Sequence, residues 1–347
     1  MKRANSKRKS EHLEIALNEV VESTQITTGL EGYRFVHQAL PELDMHTIDL
    51  SCSLFGRRLT APLIISSMVG GIEPAKQINR NLARAAQALG LAMGVGSQRV
   101  AIDDPETAST YAVRDIAPDI LLFANMGAVQ LNNGYALSQC QRMVGMIGAD
   151  ALILHLNPLQ EALQQGGNTN FSGLLSRIEK VCRSLGVPVV VKEVGWGISE
   201  AAARRLAAAG VAAIDVAGAG GTAWSEVERF RSKTEKANNI AAAFSSWGIP
   251  TADSIAMARR GAPGLPLIAS GGLRTGLDVA KAIALGADAA GIAAPLLKAA
   301  TISPEAVIDI LDEVTEALRI SMFCIGAASL DDLKNTPLLE RAPRSGR

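Results

Sequence analysis

Eight short apolar runs, separated by stretches of helical length, constrain this chain more than any other feature. They are LIIS (63–66), LAMGV (91–95), ILLFA (120–124), ALILH (151–155), PVVVK (188–192), AAIDV (212–216), PLIAS (266–270) and AAGIA (289–293). Continuous rather than alternating apolarity is the pattern of strands buried on both faces, as parallel sheets covered by helices require. Strand and helix alternating from Pro62 onward indicate repeated βα units. Eight units predict an α/β protein, a closed (β/α)8 TIM barrel; a doubly wound open sheet is the alternative, and the chemistry at the strand ends favours the barrel.

Helix boundaries support this division. Glu73-Pro74 opens a helix that stops at Gly90, Ser199 caps one ending at Gly210, Thr275 caps one ending at Gly286, and Ser303-Pro304 opens the last long helix. A barrel of this kind takes about 250 residues before insertions. The 347 residues therefore fit one domain, with a barrel over 62–347 and an arm over 1–61. The arm's basic start and TTGLEGYRFVHQALPELD lack clear periodicity. It is either a mobile end plus a cap over the barrel bottom or a lid that carries charge to the active face. The segment 218–238 after the sixth strand is long enough to be a functional loop.

Charge narrows the function classes. Lys plus Arg and Asp plus Glu number 34 each, so no global field draws nucleic acid or anionic lipid, and an anion must be gripped locally. Cys52, Cys140, Cys182 and Cys324 form no CxxC pair, which fits reduced thiols better than a disulfide framework or zinc site. No apolar run approaches the ~20 residues that span a bilayer, and no signal-peptide core follows the basic start. The expectation is a cytoplasmic protein without nucleic-acid or membrane partners.

Active sites of such barrels lie on the loops after the strands. Those loops carry Ser66-Ser67-Met68, then Ser97-Gln98-Arg99, then Asn125, then His155 with Asn157, Gln160 and Glu161, then Lys192, the glycines and Thr222 of 218–222, Gly271-Gly272 and Ala293-Ala294. The Gly-rich turn ASGGLRTG after strand seven, with GIAAP after strand eight, is suited to a phosphate, because backbone amides can approach it closely. Ser97, Gln98 and Arg99 form a compact donor set for an anionic substrate. Lys192 ends an apolar run, where an ammonium needs a partner or a task. A salt bridge to Glu193 or Asp215, a Schiff base and the support of an electron-rich cofactor all satisfy that need. Glu161 beside Asn157 and Gln160 can hold Mg2+ through few protein ligands, or be a lone carboxylate on a solvated loop.

Taken together, RKSEH, GLEGYRFVHQALPELD, APLIISSMVGG, GVGSQR, FANMGAVQL, HLNPLQEALQQGG, VVVKEVGWGIS, DVAGAGGTAW and ASGGLRTG resemble the type 2 isopentenyl diphosphate isomerases over almost the whole chain. The resemblance implies FMN held by Ser67, Met68, Val69, Ser97, Asn125, Lys192 and Thr222, with its phosphate near Gly271, Gly272, Leu273, Ala293 and Ala294. It implies a small-molecule diphosphate substrate held by Arg8, Lys9, His12, Ser97, Arg99, His155 and Asn157, Gln160 beside the hydrocarbon end, and Mg2+ on Glu161. Catalytic positions fall to Gln160, His155 and Lys192, with NADPH as reductant of the flavin and a homo-oligomeric assembly. Val69 departs from the family's usual Thr, which removes a hydroxyl from the flavin site and leaves the backbone amide.

Two other classes compete. An FMN-dependent dehydrogenase or oxidase on a related barrel expects a His or Cys late in the barrel, and none lies between Cys182 and Cys324. A non-catalytic barrel that binds a phosphorylated metabolite explains GGLR and Arg99 but leaves Lys192, Glu161 and RKSEH without purpose.

Overall fold

The computed structural model describes residues 2–23 and 25–342. Eight parallel strands, β1 (Leu63–Ile65), β2 (Ala92–Gly94), β3 (Leu122–Gly127), β4 (Ala151–Leu156), β5 (Val189–Glu193), β6 (Ala213–Asp215), β7 (Leu267–Ala269) and β8 (Ala289–Ile292), close into a barrel in chain order. Each arises from one of the apolar runs, and β8 returns to β1 through Gly291 opposite Ile64. The closed ring excludes the open sheet.

Both faces of each strand are apolar because they fill two different cores. Ile64, Ala92, Phe123, Ala151, Ile153, Val190, Ala213, Ile268 and Ala289 point into the barrel. Their neighbours, among them Leu63, Ile65, Met93, Leu122, Leu152, Leu154, Val191 and Ile214, pack in the larger cluster shared with the surrounding helices. Burying each large aliphatic side chain contributes about 1.5–3 kcal/mol, which is why a barrel of short strands holds its shape. The helix ends follow their caps. Ser199, Thr275 and Ser303 accept the amides of Ala202, Asp278 and Ala306, and Gly90 closes its helix in the left-handed region at φ 64°.

The first sixty residues go to both ends of the barrel. A hairpin, Cys52–Leu54 with Arg57–Leu59, places Leu54 and Leu59 against the barrel interior at its amino end. The helix Lys2–Asn18 lies instead across the carboxyl end, where Arg8, Lys9, His12, Leu13 and Ala16 line the central cavity. The arm is thus a cap below and a lid above. The polar tail also acquires order: Leu339–Arg341 pairs antiparallel with Tyr33–Phe35.

The amino end carries a repeated staple. Arg114 donates to the carbonyls of Ala117, Pro118, Ile120 and Gly148 and to Asp150 Oδ2 at 2.8 Å, and that oxygen also accepts the Leu122 amide. Arg259 repeats the pattern on Ala262, Pro263, Leu265, Gly286 and Asp288 Oδ2 at 2.7 Å, with the Leu267 amide as the shared donor. In sequence it reads as an Arg followed three and four residues later by Ala-Pro, then a downstream Gly-Ala-Asp at 148–150 and 286–288. The two copies brace β3 to β4 and β7 to β8, opposite sides of the ring.

Each staple satisfies several backbone carbonyls with one guanidinium, so Arg259→Ala or Arg114→Ala should lower unfolding stability by about 2–4 kcal/mol. Arg204→Ala, which breaks the exposed pair with Glu200, should cost less than about 1 kcal/mol. Denaturant midpoints at constant m-value check the contrast, and equal losses would contradict the staple's role.

Candidate active site

The carboxyl ends of the strands surround a cavity of about 310 Å3. Parallel register aligns the polar groups at the rim, with Gly127 opposite His155, His155 opposite Lys192, and Lys192 opposite Asp215. An apolar strand tolerates a polar residue only at this end, where it meets a cavity instead of a packed core.

Lys192 Nζ lies 2.9 Å from Asp215 Oδ2 and donates to Ser270 Oγ at 2.9 Å. Ser270 in turn donates to Asp215 Oδ1 at 2.6 Å. The salt-bridge reading of Lys192 therefore holds with Asp215, and Lys192 still faces the cavity. Glu193 turns away to a different job: its Oε2 accepts the amides of Val194, Gly195 and Trp196 at 2.6–2.8 Å, which folds the turn after β5. Burial pushes its carboxyl up to about 7 against the pull of those amides.

His155 Nδ1 meets Asn125 Oδ1 at 2.8 Å. Burial first, then the charges of Lys192 and Lys9, hold its imidazole down at about 4, so the ring is neutral at physiological pH. With Nδ1–H donated to Asn125, Nε2 remains an acceptor until an anion arrives to favour its protonation.

After β4 the chain enters the helix Pro158–Leu163, which presents Gln160 and Glu161. Glu161 is buried, not on a solvated loop. Its Oε1 accepts from Asn157 Nδ2 at 3.2 Å and its Oε2 from the Asn168 amide at 2.6 Å. The fold-back that brings Asn168 there requires glycine at 167, where a Cβ would stand 1.9 Å from the Glu161 carbonyl. Among the described residues no group of three or more His, Cys, Asp and Glu is arranged to hold a metal. A cation on Glu161 would need oxygens from its ligand or from water.

The arm supplies the cations. Lys9 Nζ donates to the carbonyls of Gly70 and Ser97 and to Tyr111 Oη at 2.6–2.8 Å. It is partly buried, with no carboxylate among these contacts; desolvation, then Arg8 and Arg99, lower its pKa to about 7. His12 Nε2 sits 3.0 Å from Glu228 Oε1, and its ring meets Trp224 edge-on. Glu11 and Glu228 both pair with Arg231. The long connection after β6, which includes the helix Trp224–Arg231, is thus the seat on which the arm docks.

After β7 the backbone itself lines the cavity. Gly271 and Gly272 adopt φ 100° and 79°, and a Cβ at either would stand 2.1–2.4 Å from the carbonyls of Gly218 and Gly220. Only glycine fits this cradle. Among the described residues, seven buried side-chain atoms lack a hydrogen-bond partner, and five of them, Ser66 Oγ, Ser67 Oγ, Arg99 Nε, Gln130 Oε1 and Asn157 Oδ1, belong to residues that line this cavity; the others are on Asn132 and Ser225. Buried polar atoms of this kind cost about 1–3 kcal/mol each when left unsatisfied, and their concentration on one cavity is the mark of a site built for a polar ligand. A glycine cradle at one end, an ammonium at mid-wall and serine hydroxyls facing it fit a phosphorylated, electron-accepting ring system such as FMN.

Arg8, Lys9, His12, Ser67, Met68, Val69, Ser97, Arg99, Asn125, His155, Asn157, Gln160, Glu161, Lys192, Thr222, Gly271, Gly272, Leu273, Ala293 and Ala294 all line this one cavity. Gln98 does not, which corrects the sequence reading of it as a substrate ligand. Its side chain is wholly buried, donating to the Met143 carbonyl and accepting the Asn125 amide at 3.0 Å each. It positions Asn125 instead. At Val69 the backbone carbonyl accepts the Gly96 amide at 3.0 Å, a bond indifferent to the side chain. Sequence reasoning missed Ser270, Tyr111, Gln130, Trp224 and Glu228. Ser270 was legible as the last residue of an apolar run, while the others depend on contacts distant in sequence.

A family model described as FMN-dependent dehydrogenase matches residues 139–340. An isopentenyl-diphosphate delta-isomerase of Nostoc sp. is 54% identical over 96% of this chain and 95% of its own length. The enzyme of that name from Xanthobacter autotrophicus is 54% identical over 96% of this chain and 97% of its own. A solved mandelate oxidase variant with an FMN adduct superposes with a TM-score of 0.64 at 20% identity, covering 95% of this chain and 91% of that one, and so shares the fold. With half the residues identical over nearly all its length, this chain belongs to the isopentenyl-diphosphate delta-isomerase family, on the barrel of the FMN-dependent dehydrogenases.

Proposed function

We propose that this chain interconverts isopentenyl diphosphate and dimethylallyl diphosphate by proton transfer at a bound, reduced FMN. Isomerase activity and FMN dependence follow from the family to which the chain belongs. The observation that supports the finer reading is one cavity lined both by glycine backbone with a paired lysine and by three basic residues close enough to influence one another, Arg8, Lys9 and Arg99.

FMN would be held by Ser67, Met68, Val69, Ser97, Asn125, Lys192 and Thr222, with its phosphate on Gly271, Gly272, Leu273, Ala293 and Ala294. When bound and reduced it supplies a site that can give and take a proton at carbon, a task for which ordinary side-chain acids are poorly matched against an unactivated alkene. NADPH is the reductant this reading requires. Lys192 stabilises negative charge on the ring. Arg8, Lys9, His12, Ser97, Arg99, His155 and Asn157 would grip the diphosphate, and Glu161 would hold Mg2+, whose charge would offset that of the diphosphate. Gln160, on the same helical turn as Glu161, orients the hydrocarbon end. The arm helix excludes water from the mouth. We place the protein in the cytoplasm as a homo-oligomer; its cysteines are free thiols, and among the described residues no helix is long and apolar enough to cross a membrane.

Anaerobic incubation of the protein with reduced FMN, Mg2+ and isopentenyl diphosphate should yield dimethylallyl diphosphate, and its absence would refute the proposal. Glu161→Gln should retain FMN while the rate falls roughly 10²-fold and the Mg2+ needed for half-maximal rate rises. An unchanged Mg2+ dependence removes Glu161 from the metal site.

Lys9 makes arm docking depend on pH. Its docked pKa of about 7 lies below the ordinary lysine value of about 10.4. Between these values the undocked arm binds more protons, so docking strengthens as pH rises and is weakest below the docked pKa. A diphosphate supplies the missing negative charge and cancels that dependence. Limited proteolysis of the ligand-free arm should therefore slow on going from about pH 6.5 to about pH 9, relative to a control substrate, by up to about tenfold per pH unit. Lys9→Met should abolish the difference.

A further inference from the structure

We propose that Asp215, braced by Ser270, is a positioning residue that fixes the Lys192 ammonium at the cavity wall and keeps it protonated in both redox states of the flavin. Lys192 then lends charge to flavin reduction without exchanging a proton. The inference rests on the FMN reading above and goes beyond it, since it assigns Asp215 a role that it plays only through Lys192.

The geometry is a closed triangle drawn from three successive strands. Lys192 ends β5, Asp215 ends β6, and Ser270 follows β7. Nζ reaches Asp215 Oδ2 and Ser270 Oγ at 2.9 Å each, and Ser270 closes the figure by donating to Asp215 Oδ1 at 2.6 Å. Asp215 Oδ1 also accepts the Ala217 amide at 3.3 Å. Both carboxylate oxygens are thus engaged by donors. Lys192 and Ser270 line the cavity and Asp215 does not, so the carboxylate stands behind the ammonium as its counter-charge.

The other titratable groups nearby cannot replace it. His155, opposite Lys192 on β4, is neutral at physiological pH, and as a cation it would repel the ammonium. Glu193 turns its Oε2 to three amides of its own loop and is itself pushed up to about 7 by burial. Asp215 is the carboxylate in an ion pair with Nζ among the described residues.

The proton count follows. Two electrons and one proton convert bound flavin to its reduced monoanion. With Asp215 present, Lys192 is charged before and after, so no further proton is taken up. Without Asp215, the desolvated ammonium has no counter-charge while the flavin is oxidised and gives up its proton. Reduction then draws two electrons and two protons, and the second goes to Nζ to offset the new negative charge.

The test is the pH dependence of the flavin midpoint potential in the holoenzyme, titrated with dithionite, for wild type and Asp215→Asn. The expected result is a steeper fall with pH in the variant by one proton per two electrons, a tenfold change in equilibrium per pH unit or about 30 mV per pH unit. Parallel lines for the two proteins would overturn the proposal. If Asp215→Asn does not retain FMN, thermal unfolding of the apoproteins decides. Adding Lys192→Met to Asp215→Asn should recover the stability lost by the single change, because removing both charges leaves none buried and unpaired. A double variant as unstable as the single one would mean that Asp215 serves the fold directly, and the proposal would fail. Wild type that binds no FMN would sink the flavin reading and, with it, the redox role proposed here, whereas parallel lines in an FMN-loaded pair of proteins would overturn the proposal and leave the flavin reading standing.

Discussion

The cost of burying charge beside an apolar barrel decides where the chemistry can be. Strands packed on both faces admit no ionic side chain along their length, so polar groups collect at the carboxyl rim. Register then does the arranging. Because His155, Lys192 and Asp215 occupy facing positions on neighbouring strands, a single parallel ladder sets the imidazole, the ammonium and its counter-charge side by side. A slip of one residue in β5 would turn Lys192 toward the helices and leave Asp215 buried alone. The site is a consequence of the barrel's closure as much as of the residues in it.

Most of the barrel was legible because its signals are local. Apolar runs, Pro at helix starts, Ser or Thr caps and Gly stops each need only a few residues to be read, and all eight strands fall where the runs do. The rim residues were legible for the same reason, since each is the first polar group after a strand. The resemblance added the pairing of rim to ligand. What escaped were features whose cause lies far away in sequence. The arm helix has no amphipathic pattern and buries Leu13 among its described residues, because it docks through polar contacts with residues around 70, 97, 111 and 228. Gln98 looked like its neighbours Ser97 and Arg99, yet its side chain points to β3 and the Met143 carbonyl. Three adjacent polar residues on a turn cannot all face one cavity. The Arg–Ala–Pro and Gly–Ala–Asp staples were present in the sequence, but two short matches more than a hundred residues apart carry weight only once both are seen to make the same bonds.

A chain with equal numbers of acidic and basic residues still builds a locally cationic mouth. Arg8 and Lys9 come from the arm and Arg99 from the turn after β2, and the nearest acidic partner of Arg99, Asp103, stands at 4.0 Å on a side chain largely in solvent. The carboxylates of the arm and its seat, Glu11 and Glu228, are committed to Arg231 and His12. The charge at the mouth is therefore set by which anions are already engaged, not by composition. An arm held this way is stable enough to dock and depends on its ligand to complete the charge balance.

The two ends of the barrel divide the labour between stability and function. At the amino end both arginine staples are saturated with carbonyl and carboxylate acceptors, and the hairpin fills the interior with Leu54 and Leu59. At the carboxyl end Ser66, Ser67, Arg99, Gln130 and Asn157 each keep a buried polar atom without a hydrogen bond among the described residues. A fold can carry such unsatisfied groups only if other parts over-determine the backbone that presents them. The triangle of Lys192, Asp215 and Ser270 belongs with the bonded groups at this end, as do Lys9 and Glu161, and contrasts with those unsatisfied atoms. The contrast separates polar groups that satisfy one another within the fold from polar groups that only a bound molecule or water can satisfy.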